Sequence, residues 1–208
     1  LQITGGADAR YIVAVNDSHI ATQADWVQIR ETLRPTHPQP DAVLYDCTAE
    51  KRLGALAPFT CDLSETTARL FAVLPRELKQ IALAARADKE LALVVEFRDA
   101  EGNRFAAVLP FHLALQRPDG KLFAEFWRAT TPAGTFTMTL LLPANVPAGE
   151  WKLIVRSQLT GDEATLPVHV APGKSSAFAT AWNEPVLARE TAAIEKLFVP
   201  GTKFVLPV

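Results

Sequence analysis

What this chain lacks narrows its chemistry first. Its 208 residues hold two cysteines, four histidines and one methionine. No CxxC pair and no metal-type His/Cys spacing accompanies them, so no metal and no cofactor is expected. G-x-S-x-G, a glycine-rich phosphate loop and H-E-x-x-H are all missing, and with them the common signatures of esterases, nucleotide-binding enzymes and zinc peptidases. Lys plus Arg is 21 against 23 Asp plus Glu, a formal charge of −2, with no basic block or stripe. Nucleic acid is therefore not an expected partner. The longest apolar runs, such as Leu91–Val95, fall far short of the ~20 residues that cross a bilayer. No membrane span is expected.

What is present is the composition of a folded protein, 49% hydrophobic and 21% charged, well clear of the disordered regime. The chain begins at Leu1, its one methionine is Met138, and it ends on apolar Phe204-Val205-Leu206-Pro207-Val208. It reads as a fragment, either of a processed protein or excised from a longer one, with any targeting signal outside it.

Periodicity gives an all-β chain of two tandem antiparallel sandwich modules, followed by a short helical tail. Residues 1–76 form a small β-module, with strands expected at Tyr11–Val15, Ala42–Thr48, Pro58–Leu63 and Ala68–Leu74 and short links at Ala49–Ala57 and Ser64–Thr67. Ser18–Leu33 fits neither period, and Pro35, Pro38 and Pro40 exclude regular structure around them. Residues 77–172 carry about eight strands, with turn signals roughly every ten residues, as an aligned two-sheet sandwich requires. Those strands fall at Gln80–Ala85, Glu90–Arg98, Phe105–Val108, His112–Gln116, Leu122–Ala129, Gly134–Leu142, Gly149–Ser157 and Thr165–Val170. Turns are expected at Asp99–Asn103 and Arg117–Gly120, with Gly102 and Gly120 at positive φ. Phe136, Met138 and Leu140 share one face, with Thr135, Thr137 and Thr139 on the other. Such alternation means one packed wall and one wet wall. Residues 173–208 form a helical tail with a terminal strand, Asn183 capping and Pro185 in the first turn.

Candidate functional residues are few. Cys47 and Cys61 lie on consecutive expected strands, where a cross-strand disulfide and two buried apolar thiols are equally open readings. His19, His37, His112 and His169 are isolated in sequence, so structural roles are expected. Asn16-Asp17-Ser18-His19 reads as a turn, because adjacent side chains diverge too far for a catalytic triad. Asp99 with Glu101, and Asp162 with Glu163, are expected in solvated turns, a poor platform for a glycosidase pair. Trp151 is assigned to the core. Trp26 and Trp127 are the two candidates for stacking on a glycan.

ARYIVAVND (Ala9–Asp17), AVLYDCTAEKRL and TARLFAVLPREL resemble the small β-sandwich near the end of large exported bacterial glycoside-hydrolase-like (β-galactosidase-like) proteins. Tyr45 and the Arg69–Pro75 strand carry that resemblance. The Asp99–Gly102 hairpin, the Pro118–Gly120 turn, the Gly134–Leu140 strand and the Pro147–Trp151 strand resemble a macroglobulin-type or Ig-like domain. The resemblance implies a non-enzymatic structural or accessory region of an exported bacterial carbohydrate-active or cell-surface protein. Neighbouring domains of the parent chain would be its partners, and no catalytic residue carries over. Two alternatives stay open: a module binding a polysaccharide or another protein, and a hydrolase with its site between the modules.

Overall fold

The computed structural model describes residues 2–15, 30–35, 39–63, 66, 68–88, 90–143 and 145–171. Every helix or strand among them is a β-strand, and no helix there is long and apolar enough to cross a membrane. The tail at 173–208, with its expected helix, and most of the ambiguous Ser18–Leu33 segment lie outside the described residues. The chain divides into two units, residues 1–142 with 147–171, and residues 143–146 with 172–208. In the second unit the Val146 N–H donates to the Pro143 carbonyl at 3.1 Å. All the strands among the described residues belong to the first.

The first seven strands are β1 (Gln2–Thr4), β2 (Arg10–Val15), β3 (Arg30–Leu33), β4 (Val43–Asp46), β5 (Lys51–Ala55), β6 (Phe59–Asp62) and β7 (Ala68–Leu74). Five form an antiparallel sheet in the order β1-β2-β7-β4-β5, and β3 pairs with β6 in a second layer. Leu44, Phe71 and Val73 from the large sheet meet Cys61 and Leu63 from the small one, with Ile12, Ala14, Leu33 and Phe59 around them. The Phe59 and Phe71 rings pack edge-to-face at 4.8 Å between centroids. Two features depart from the expected pattern. The Ala49–Ala57 link contains β5, whose largely exposed Lys51-Arg52-Leu53 start is the charged dress of an edge strand. β6 does not neighbour β4 but crosses to the other layer.

The second group comprises β8 (Gln80–Ala87), β9 (Glu90–Arg98), β10 (Pro110–Gln116), β11 (Leu122–Ala129), β12 (Thr135–Leu141), β13 (Gly149–Ser157) and β14 (Glu163–Val170). They make two antiparallel sheets, β12-β9-β8 and β11-β10-β13-β14. Lettered A to G along the chain, with β11 as C′, the orders are E-B-A and C′-C-F-G. That is an Ig-like sandwich. Leu91, Leu93, Val95 and Phe97 alternate inward along β9, opposite Leu140, Met138 and Phe136 of β12. The Thr face of β12 points the other way, as its alternation requires. Phe111 bridges the layers, its ring 5.8 Å from Phe97 and 5.2 Å from Phe136. Trp151 is fully buried against Phe123, with its indole N–H donating to the Pro147 carbonyl at 2.8 Å.

The Phe105–Val108 segment departs from expectation. It forms no strand, only an isolated bridge at Gly6–Ala107. After the Phe105 N–H bonds to Phe97, the backbone of Ala106 and Val108 turns to Asp8 and Gly5 of the first module. Gly134, at φ 83°, packs against that segment, and a Cβ there would lie 1.7 Å from the Phe105 carbonyl oxygen. Gly102, at φ 82°, faces open space. The pair separates backbone strain from steric clash. In urea unfolding, Gly102→Ala is expected to cost about 1 kcal/mol, and Gly134→Ala about 3 kcal/mol or more because backbone must also move. Equal losses would refute the close approach.

Candidate functional site

A group of ionisable side chains lies where the two sandwiches meet. In the five-stranded sheet, Tyr11 lies opposite Ala72 and Ala72 opposite Tyr45. These three therefore share the face turned away from the β3–β6 layer. Tyr45 is fully buried and accepts the Leu78 N–H at 2.8 Å. Tyr11 donates to the Val108 carbonyl. Burial raises both phenols above their ordinary range, so both stay protonated.

Between the phenols runs the connection from β7 to β8. Arg76 lies 3.1 Å from Asp99 and 3.6 Å from Asp8, with its guanidinium 5.0 Å from the Phe105 ring centre. Asp8 also ties the modules through backbone: its N–H donates to the Ala106 carbonyl and its carboxylate accepts the Ala106 N–H. Glu77 pairs with Arg52 on one side and Lys79 on the other. Farther along, the Arg156 Nε donates to Glu50 at 3.0 Å, and Glu50 itself stands at φ 50°. A non-glycine residue in that region is uncommon.

Asp99 was expected in a solvated turn. It is buried instead, accepting the Glu101 and Asn103 N–H groups and the Asn103 side-chain amide. Burial alone would raise its pKa, but those donors together with Arg76 outweigh it and hold the carboxyl below the ordinary range. The Asp-x-x-Gly-Asn letters identified the turn and concealed this second role, since nothing local marks the arrival of Arg76.

Cys47 and Cys61 are separate thiols, and sheet geometry supplies the reason. Asp46 pairs with Phe71, and the Cys47 N–H donates to the Leu70 carbonyl. By alternation Cys47 faces the Tyr11 side, whereas Cys61 lies in the core on the opposite face. The sheet stands between them. Burial first, and Asp46 second, push the Cys47 thiol up to about 12, which keeps it protonated and unreactive.

Trp127 lies on β11 and is 65% exposed, while Trp26 is outside the described residues. The Trp127 ring rests 4.7 Å from that of His112, whose Nε2 is 3.3 Å from Glu125 Oε2. His112 is thus joined to a carboxylate, a pairing without a sequence signal because it crosses β10 and β11. His169 sits on β14, opposite Glu150 of β13. His19 and His37 lie outside the described residues. Among the described residues no three His, Cys, Asp or Glu side chains form a metal-binding group.

No protein-family model matches the chain, and no curated protein matches it. Among solved structures it is similar to the chicken interferon gamma receptor alpha chain, at 10% identity and TM-score 0.33, over 69% of this chain and 92% of that one. It is also similar to a β-D-glucuronidase of Dictyoglomus thermophilum, at 7% identity and TM-score 0.29, over 78% of this chain and 36% of the other. β-Glucuronidase 3 of Bacteroides uniformis is matched at 12% identity and TM-score 0.30, over 68% of this chain and 26% of the enzyme. This chain therefore spans about a third or less of these glucuronidases. The Ig-like assignment rests on strand order alone.

A pH dependence follows from the junction. Because the folded pKa of Asp99 lies below its unfolded value, its stabilisation is complete above the ordinary carboxyl range. It disappears as the pH falls through the lowered folded value. Glu96, held low chiefly by Arg98 and Arg104, acts in the same direction. The urea midpoint is therefore expected to drop on acidification from about pH 5, the upper end of the window in which carboxyl linkage is lost. Asp99→Asn should flatten that slope. An equally steep slope in the variant would remove Asp99 from the account.

Proposed function

We propose that this chain is a non-catalytic accessory region of a larger exported bacterial carbohydrate-active or cell-surface protein. In this reading the two sandwiches act as one spacer that fixes neighbouring domains of the parent chain. The observation that carries it is the connection between them, where Leu78 is bonded to Tyr45 and Arg76 is paired with both Asp8 and Asp99. A loose tether needs neither buried phenols nor a buried carboxylate. At the connection three ionisable groups are held in fixed contacts: Tyr11 and Tyr45 stay protonated, and Asp99 stays ionised. Export and the association with carbohydrate are supported by the resemblance of the LYDC and RLFAVLP strands, and the two thiols contribute nothing to either.

Two measurements test this. In calorimetry the two sandwiches are expected to melt in one transition, with calorimetric and van't Hoff enthalpies equal. Tyr45→Phe leaves the Leu78 N–H unpaired, costs about 1–3 kcal/mol and should shift that transition whole. A variant that splits it into two would show that each sandwich melts alone. The second measurement is turnover of aryl glycosides and aryl esters, expected to stay at the buffer rate. Hydrolysis that His112→Ala abolishes would replace the accessory reading with an enzymatic one.

A further inference from the structure

We infer that the outer face of the β11-β10-β13-β14 sheet carries a saccharide-binding platform, with Trp127 as its stacking surface and His112 and Glu125 as its hydrogen-bonding flank. The register places Trp127 opposite His112, and His112 opposite Arg156. One row along, Glu125 lies opposite Ala114 and Ala114 opposite Ile154. Leu113 and Val155, between these positions, point into the core, so Trp127, His112, Glu125 and Arg156 share the outer side.

Among the exposed large apolar side chains of the described residues, Trp127 is the sole aromatic. It contributes little to the core, yet it is not loose. Its indole is braced by the His112 ring at 4.7 Å, and His112 is held by Glu125 at 3.3 Å. Orientation is therefore set before any ligand arrives, which reduces the entropic cost of binding. Beside the indole the floor is low, because Ala114 is small and only 9% exposed.

The chemistry selects the ligand. The core of a protein–protein interface is apolar and depleted of charged residues. Trp127, the exposed aromatic of this face, is instead bordered by an imidazole, a carboxylate and a guanidinium, with Ala114 and Ile154 less exposed between them. A pyranose ring has the complementary layout, with an apolar C–H face bordered by hydroxyls. The C–H face fits the indole. The hydroxyls, each both donor and acceptor, match Glu125 as acceptor and His112 as donor or acceptor. The row passes through Arg156, which holds Glu50 of the first sandwich, and reaches Glu163 on β14, so a bound chain would run along the sheet past the junction. This inference does not depend on the accessory reading, since Trp127 takes no part in the connection around Arg76.

Affinity electrophoresis tests it, using the whole chain in native gels that contain xyloglucan, galactomannan, polygalacturonate or chondroitin sulfate. Retardation is expected in at least one gel, with quenched or blue-shifted tryptophan emission on titration with the same polysaccharide. Trp127→Ala should weaken binding about tenfold or more, as loss of an aromatic anchor does. Trp127→Phe should retain part of it, and Glu125→Gln should fall between. Because the ring is exposed, Trp127→Ala should melt at the parent temperature, which separates lost binding from lost fold. Three results would overturn the inference: no retardation in any gel, retardation that survives Trp127→Ala, or a dimer that this substitution converts to monomer. The last would assign the face to a second copy of the chain. None of the three would alter the shared melting of the two sandwiches.

Discussion

The hydroxyl of Tyr45 accepts the Leu78 amide at the point where the first sandwich gives way to the second, and the rest of the architecture depends on that contact. It requires Tyr45 to face away from the β3–β6 layer, and so the five-stranded sheet must be covered on both sides. One cover is the small sheet bearing Cys61, with Leu63 just beyond its β6. The other is the second sandwich, reached through Val108, Ala106 and Leu78. Leaving a phenol and a peptide N–H buried and unpaired would cost several kcal/mol. Satisfying each with the other fixes the distance and the angle at which the chain enters β8.

Around that contact the ionic groups are layered by exposure. Asp99 is buried and accepts three hydrogen bonds beside its ion pair with Arg76, whereas Arg52–Glu77–Lys79 lies nearer solvent. The inner group carries more of the geometry, because screening by water leaves exposed pairs worth ~0–1 kcal/mol. Glu50 adds a different device. Its left-handed backbone aims a carboxylate at Arg156 across the modules, and such a conformation persists only where its surroundings enforce it. The Arg156 that receives it shares a sheet row with His112 and Trp127, so junction and outer face are built on the same strands.

Much of the second sandwich was legible from alternation. The Phe136/Met138/Leu140 stripe, Trp151 in the core, and the turns at Gly102 and Gly120 follow from period two and from the need for positive φ. The first sandwich was less legible, and its strands explain why. β4 and β7 read as nearly unbroken apolar runs, Val43-Leu44-Tyr45 and Leu70–Leu74, which conceal register but do signal burial on both faces. That signal, followed through, points to a cover for the Tyr45 side. What no local pattern could reveal was long-range: Asp99 meeting Arg76, Tyr11 meeting Val108, and His112 meeting Glu125. Cys47 and Cys61 show the same limit, since strands expected to be consecutive are separated by β5 and lie in opposite layers.

The central claim is that two sandwiches behave as one body because their connection is built into the core. Native-state hydrogen exchange at the Leu78 and Ala106 amides tests it most directly. The account predicts that both exchange only through global unfolding, with the same opening free energy and denaturant slope as Val95 and Leu153 in the sandwich core. Exchange through a smaller, denaturant-insensitive opening at Leu78 and Ala106, with Val95 and Leu153 still protected, would contradict it.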